Sequence, residues 1–432
     1  MINENVFCNI PYSSVVINPD GSYRLCSLTN GAKYDMGGCL DSSTGVEMNI
    51  YTHSFEEAIN GKWQKHLRGC HSRGEKSSMC ECCYNRDEIG GDSRRKHLLK
   101  YIPSLSADFI NRETAPSQTN ESFEFSGKVT SLDLRFGNLC NLACVTCGPW
   151  YSNKWYEDYV AVTNKTDFYW NGKTIDIKDS KRLSNLSGGL EPWWESTIWW
   201  ERFDKASPDL RHLYVTAGEP LLVKAFTTML ERLVSKGYAK NVIIELDTNL
   251  TVLNPKTMDL WKYFKRVDLR VSVDELDDQY SLFRYPGKFS TLDDNLKELI
   301  SRNYSNLDLL LTTCITPLNV FSINKIEEYS KSLGVKRDAH FRFVDSPGHL
   351  DIKKLSKSKK DFIIHRLKRY PGSKWSKKVI HYLEIHENEY NQEYEEKLVP
   401  IFEKLDSLRG TDWKRLFPEA AEMFKEATLC LS

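Results

Sequence analysis

Apolar and polar positions change rhythm along this chain near residue 129. From there on, short β-branched or aromatic-rich runs recur and mostly end in a polar or turn residue. They are V-T-S-L-D-L-R-F (129–136), L-R-H-L-Y-V-T (210–216), N-V-I-I-E-L-D-T (241–248), V-D-L-R-V-S-V-D (267–274), D-L-L-L-T-T-C-I (308–315) and A-H-F-R-F-V (339–344). Such runs predict strands. Helical spacing fills the gaps, at Leu222–Ser235, Pro255–Phe264, Leu292–Ile300 and Ile323–Leu333. Pro255 directly behind Asn254 suits the first helical position after an N-cap. Six strand–helix repeats predict an α/β fold with parallel strands and right-handed crossovers. Six units fall short of an eight-fold barrel, so a partial (β/α)6 TIM-type barrel is expected over 129–350. A doubly wound sheet is the alternative.

Residues 1–100 follow no such rhythm. I-N-P-D-G-S-Y-R-L-C (17–26) reads as strand, turn and strand around Asp20-Gly21, and F-E-E-A-I-N-G-K-W-Q-K-H-L-R-G (55–69) as one amphipathic helix ending at a glycine. C-E-C-C-Y-N-R-D-E-I-G-G-D-S-R-R (80–95) completes a small Cys-rich module of the kind that needs a metal to hold it. Residues 101–128 read as a linker, and 351–432 as a helical C-terminal tail. That tail is basic over 353–370 and acidic over 384–396, blocks expected to pair with each other on solvated helix faces. The insertion 150–205 carries seven of the eleven tryptophans; the spacing in W-W-E-S-T-I-W-W favours core packing over base stacking.

Composition narrows the function classes. The 432 residues carry a formal net charge of zero, which counts against nucleic acid as a partner, and no apolar run approaches a membrane span. The opening M-I-N-E-N-V-F-C lacks a basic region followed by an apolar core, so a cytoplasmic protein is expected. In that compartment twelve cysteines point to metal ligands rather than disulfides. Cys314 and Cys430 read as small packed hydrophobes, and Cys39 and Cys70 as bystanders.

In an open α/β barrel, ligands gather at the carboxyl ends of the strands. Those positions hold Cys140, Cys144 and Cys147, then T-A-G-E-P (216–220), T-N (248–249), S-V-D (272–274) and Asn319. Structural zinc wants four closed ligands, whereas a cubane iron–sulfur cluster held by three cysteines keeps one iron open. That open iron accepts the amine and carboxylate of a small molecule. Gly218 lets the backbone approach such a ligand closely, and Glu219 offers an anion to its amine.

C-x-x-x-C-x-x-C after the first strand, a G-G-E-P-like turn after the second and the S-V-D strand end resemble the radical S-adenosylmethionine (SAM) enzymes. The resemblance spans roughly residues 129–348. It implies that Cys140, Cys144 and Cys147 hold a 4Fe–4S cluster whose unique iron binds SAM. It further implies reductive cleavage to a 5′-deoxyadenosyl radical that abstracts hydrogen from a substrate. Gly218 and Glu219 would meet the methionine amine, and Thr248, Asn249, Ser272 and Asp274 its carboxylate and ribose. Asn319 would lie near adenine, and Arg284 matches an arginine near SAM, with a surface ion pair as the alternative. Ala217 stands where the family usually has glycine, which requires a negative φ there, and Thr146 replaces a common aromatic.

The N-terminal module is similar to SPASM or twitch auxiliary-cluster domains, which normally follow the barrel. That likeness implies a second 4Fe–4S cluster on Cys8, Cys26, Cys80 and Cys83, with a zinc site on the same residues as the alternative and Cys82 competing for a place. Ser93 and Arg94 read either as cap and ion pair or as substrate contacts. His212 and His340 read as structural. The implied partners are SAM, a peptide, protein or small-molecule substrate, and a reductase or flavodoxin/ferredoxin-type electron donor. The leading expectation is radical modification of a peptide or protein. The alternatives are radical modification of a nucleotide or small metabolite, and a zinc-stabilised nucleic-acid-binding protein.

Overall fold

A computed structural model describes residues 2–29, 38–88, 93–105, 109–170, 173–177, 192–335, 337 and 339–425. Cys430 and Gly90 lie outside the described residues. The chain divides into two compact units, the first made of Met1–Leu139, Asp167–Leu246 and Pro255–Val267 and the second of Cys140–Thr166, Asp247–Asn254 and Asp268–Ser432.

The first unit is built on β1 (Ser14–Ile17), β2 (Tyr23–Arg24), β3 (Ser131–Arg135), β6 (His212–Thr216) and β7 (Ile243–Thr248) as far as Leu246. β1 pairs in parallel with β3, β3 with β6 and β6 with β7, while β2 closes the edge antiparallel to β1. A separate hairpin joins β4 (Asp167–Trp170) to β5 (Lys173–Asp176). Alternation along the strands splits the two faces. Leu132 lies in register with Leu213 and Ile244, each with no solvent exposure, and Phe226, Met229, Leu230 and Leu233 of helix Lys224–Ser235 are buried equally. The other face carries Ser131, Asp133 and Arg135 beside His212, Tyr214 and Glu245, also buried.

The second unit holds β8 (Arg266–Ser272) from Asp268 onward, β9 (Leu307–Ile315) and β10 (His340–Phe343), the last two parallel in register His340 with Thr312. Helices Asp277–Phe283, Phe289–Ser301 and Ile323–Ser332 intervene, and five more follow β10, from Lys357–Leu367 to Pro418–Lys425. The basic and acidic blocks pair as expected: Lys359 meets Glu395 at 2.6 Å, Lys354 meets Glu389 at 2.7 Å, and Lys357 pairs with Glu387.

All six expected strands form, within a mixed, largely parallel α/β architecture. Three expectations need correction. The N-terminal region is not a free-standing module, because β1 pairs directly with β3. Residues 101–128 are not a bare linker: Phe109, Ala115 and Phe125 are buried, and the Phe123 carbonyl accepts from buried Arg68 at 2.6 Å. The single helix over 55–69 is two, Phe55–Ala58 and Lys62–Arg73, broken at Gly61, which N-caps the second. Gly69 does not end that helix. A Cβ there would meet Phe123 at 3.2 Å, and the left-handed C-cap is Gly74.

Candidate functional site

The turn after β6 shows how a backbone can be shaped around one carbonyl. Gly218 has φ +60°, and a Cβ there would stand 2.4 Å from the carbonyl oxygen of Leu139. The Glu219 amide donates to that same oxygen at 2.8 Å, so only glycine admits the approach. The Glu219 carboxylate is fully buried and accepts from the Leu221 amide at 3.2 Å. Ala217 departs from the expectation of a negative φ: it sits at φ +73°, a left-handed conformation that costs a non-glycine residue about 1–2 kcal/mol. The turn therefore keeps its double-positive geometry with alanine in the first position.

Leu139 leads into the cysteine loop of the second unit, whose backbone is tied down along its length. The Cys140 amide donates to the Asn153 side chain at 3.1 Å, and Ala143 and Val145 donate to the carbonyls of Tyr285 and Phe283 at 2.6 and 2.9 Å. The carbonyl of Leu142 accepts from Ser152 Oγ at 2.6 Å, and that of Cys144 from Trp155 Nε1 at 2.8 Å. Arg409, at the end of helix Gln392–Arg409, donates to the Ala143 carbonyl at 3.0 Å while pairing with Asp158 at 2.6 Å. Its guanidinium also lies over the rings of Trp155 and Tyr285, at 5.1 and 4.9 Å. Of these supports the sequence marks only Trp155, as one of the seven tryptophans of the insertion 150–205. Ser152 and Trp155 lie inside the tryptophan-rich insertion, so the signal was there, but its polar members went unread.

Burial pushes the Cys144 and Cys147 thiols up, and for Cys147 the nearby sulfurs of Cys144 and Cys140 add to it. Three thiolates gathered there repel one another unless positive charge is supplied, which is what an iron–sulfur core provides. Arg284 is the protein's own contribution: its Nη1 stands 3.7 Å from Cys144 Sγ and its Nη2 2.6 Å from Asp274. Arg284 is buried, so the surface ion pair considered for it is not what forms.

The remaining carried-over positions sort by what their polar groups already do. Asn249 Nδ2 faces Cys140 Sγ at 3.9 Å and donates to Asn141 at 3.0 Å. Thr248 is buried and accepts from the Leu250 amide. Ser272 is half-buried at the end of β8. Asp274 is buried, accepting from the Cys314 amide at 2.7 Å besides holding Arg284. Asn319 is fully enclosed: its amide donates to the carbonyls of Asp274 and Cys314 at 2.9 and 2.8 Å and accepts from the Thr316 amide. Its side-chain amide is thus spent on joining strand ends.

In the first unit, Cys8, Cys26, Cys80, Cys82 and Cys83 line one solvent-connected hollow, with Arg94 and Arg95 on its wall. Burial raises the Cys8, Cys26 and Cys80 thiols, and the neighbouring sulfurs of the set raise each further. Cys83 is held down by a hydrogen bond from Cys82 and the Arg95 amide. Cys39 and Cys70 stand outside this set, held instead by Gln64 at 2.7 Å and His66 at 3.6 Å. Among the described residues no group of three His, Cys, Asp or Glu side chains is arranged to hold a single metal ion. Ser93 caps its helix by accepting from the Lys96 amide at 3.1 Å, and Arg94 pairs with Glu245 at 2.9 Å. His212 bridges Ser131 and Glu245 at 2.9 and 3.2 Å, a structural role. Trp193 and Trp199 are fully buried among Phe136, Phe203 and each other, so they form core and no stacking platform. Among the described residues no helix is long and apolar enough to cross a membrane.

No family model matches the chain. An uncharacterized protein of Methanocaldococcus jannaschii is 27% identical over 213 residues, which cover 48% of this chain and 59% of that protein. The chain thus spans about three fifths of the curated relative it matches. Among solved structures it is similar to native anSMEcpe with bound AdoMet, at 18% identity over 56% of this chain and 58% of that one, TM-score 0.34. It is also similar to Streptococcus suis SuiB bound to precursor peptide SuiA, at 11% identity over 75% and 66%, TM-score 0.34. At these TM-scores neither likeness bears on the site, which rests on the residues themselves.

Proposed function

We propose that the chain is a radical SAM enzyme acting on a peptide or protein substrate, with a second iron–sulfur cluster held near its N-terminus. The observation that carries the reading is the Cys140–Cys147 loop: one buried and two half-buried cysteines on a backbone held by six partner residues, with a buried cation against one sulfur and no fourth thiol in the loop. Cys140, Cys144 and Cys147 would hold the first 4Fe–4S cluster, and four of the five hollow-lining cysteines, Cys8, Cys26, Cys80 and Cys83, the second. When bound, the first cluster with SAM supplies a low-potential electron and the 5′-deoxyadenosyl radical that abstracts hydrogen.

The chain's own groups hold and orient. Gly218 lets its turn close onto the Leu139 carbonyl at the start of the cysteine loop, and Glu219 would offer its carboxylate to the methionine amine. Thr248, Asn249 and Ser272 offer neutral donors and acceptors to the carboxylate and ribose. Asp274 and Asn319 act one step back: Asp274 aims Arg284 at Cys144, and Asn319 ties the end of β8 to that of β9.

The test is anaerobic purification with iron and sulfide analysis, followed by SAM cleavage under dithionite. About eight irons per chain are expected if both sites hold cubanes. Replacing Cys140, Cys144 and Cys147 together with alanine should abolish 5′-deoxyadenosine formation and leave about four irons bound. Undiminished 5′-deoxyadenosine from that triple variant, or a colourless zinc protein, would end the reading.

A further inference from the structure

Unused backbone hydrogen bonds concentrate at sheet edges, and in the second unit that edge is β10. It is the last strand in its sheet order and, among the described residues, pairs on one side only, with β9. Its four residues alternate between exposed and half-buried, and none is buried. The direction of the spare groups follows from the ladder. The Val344 amide donates to the Ile315 carbonyl at 3.3 Å, so alternation turns the backbone of His340 and Arg342 toward β9 and that of Phe341 and Phe343 outward. The outward N–H and C=O groups of those two phenylalanines form a short row that another strand can pair with.

Side chains decide what kind of strand fits. Phe341 and Phe343 lie against helix Lys374–Ile385, with ring centroids 5.1 Å from Trp375 and 3.6 Å from Tyr382, so the edge is held firmly from that face. Lys378 of the same helix reaches over Phe341, its Nζ 5.9 Å from the ring centroid. On the opposite face Arg342 stands in register with Cys314. Arg342 and Lys378 are both exposed, and among the described residues neither pairs with a carboxylate. The exposed acid next along the chain, Asp345, lies past the end of the strand. A second copy of β10 laid alongside would bring like charges together, which disfavours pairing of the chain with itself. The same two cations favour a strand that carries carboxylates on both of its faces. We propose that the free edge of β10 binds an extended acidic peptide segment as an added strand, its carboxylates meeting Arg342 on one face and Lys378 on the other. That the segment belongs to the substrate rests on the radical peptide-modifying reading. Binding itself does not.

The experiment uses the full chain without SAM, so its failure and that of the radical reading are separable: peptide binding is measured here, 5′-deoxyadenosine there. The probe is a fluorescein-labelled peptide of repeating threonine–glutamate–glutamate, capped at both ends and followed by anisotropy. Two controls accompany it, the same peptide N-methylated at every glutamate and a threonine–lysine–lysine peptide. The wild type should bind the acidic peptide, more weakly as salt rises, and should bind the N-methylated one at least about tenfold less tightly, equivalent to about 1.4 kcal/mol. The double variant Arg342→Glu with Lys378→Glu should lose at least about tenfold for the acidic peptide and gain affinity for the lysine peptide, a gain that an unfolded chain would not show. Equal binding of the N-methylated and unmodified acidic peptides would reduce the site to a patch of surface charge and overturn strand addition. Unchanged acidic-peptide binding in the double variant would overturn the placement at β10. A wild-type dimer in sedimentation that the acidic peptide dissociates would give the edge to a second copy of the chain and overturn the proposal as well.

Discussion

Replacing Gly218 with alanine tests the turn that shapes the approach to Leu139. The new Cβ would lie 2.4 Å from the Leu139 carbonyl oxygen and 3.1 Å from its carbon, both backbone atoms that cannot rotate away. The residue must also keep φ near +60°, at about 1–2 kcal/mol for alanine. Moving Leu139 stretches the Glu219 amide bond to it, worth about 1 kcal/mol more. The sum is about 2–3 kcal/mol, read as a lowered midpoint in urea by tryptophan fluorescence. A displaced Leu139 also moves the start of the cysteine loop, so reconstituted iron should fall toward half. Ala217→Gly in the same turn supplies the control of opposite sign. It removes the left-handed penalty at φ +73° but loosens the unfolded chain, for a net gain of about 0.5–1 kcal/mol. If Gly218→Ala matched the wild type in midpoint and iron content, the argument that only glycine fits would be wrong.

Three further outcomes follow from contacts described above. Arg409→Leu leaves Asp158 unpaired and frees the Ala143 carbonyl, so the variant should lose about 3 kcal/mol and release cluster iron to a chelator faster, while the hollow-lining cysteines keep theirs. Cys39→Ser should leave iron content unchanged, whereas Cys26→Ser should cost the second cluster, as quantified by iron per chain. Burial raises the Glu275 carboxyl to about 8 against a hydrogen bond from Ser322 that lowers it. A carboxyl raised on folding binds its proton more tightly in the folded chain, so stability falls as pH rises from the ordinary carboxylate range toward 8. Glu275→Gln should flatten that part of the stability–pH profile, and an unchanged slope would place the titration elsewhere.

What could be read from the sequence was what depends on neighbours along the chain. Leu213 and Val215 alternating with His212 and Tyr214, or Pro255 behind Asn254, record strand and helix locally, and those elements formed where expected. The three-cysteine spacing was equally local. The misses are long-range or conformational. Arg409 reaches Ala143 across 266 residues, a contact no periodicity announces. Ala217 adopts a conformation that its side chain opposes, because the surrounding turn overrides it. Asn319 carries the expected chemistry at the expected strand end, yet spends it on carbonyls that only folding brings near.

The pairing of β1 with β3 also has a timetable. Ser14 and its partner Ser131 are 117 residues apart. At ribosomal speeds of about 5–20 residues per second, roughly 6–23 s separate the emergence of the two strands. During that interval Cys8 and Cys26, which flank the β1–β2 hairpin, are already made while the strand that anchors it is not. Nascent chains would be most open to oxidation in that window, and yields of intact protein should depend on oxygen during synthesis as well as during purification.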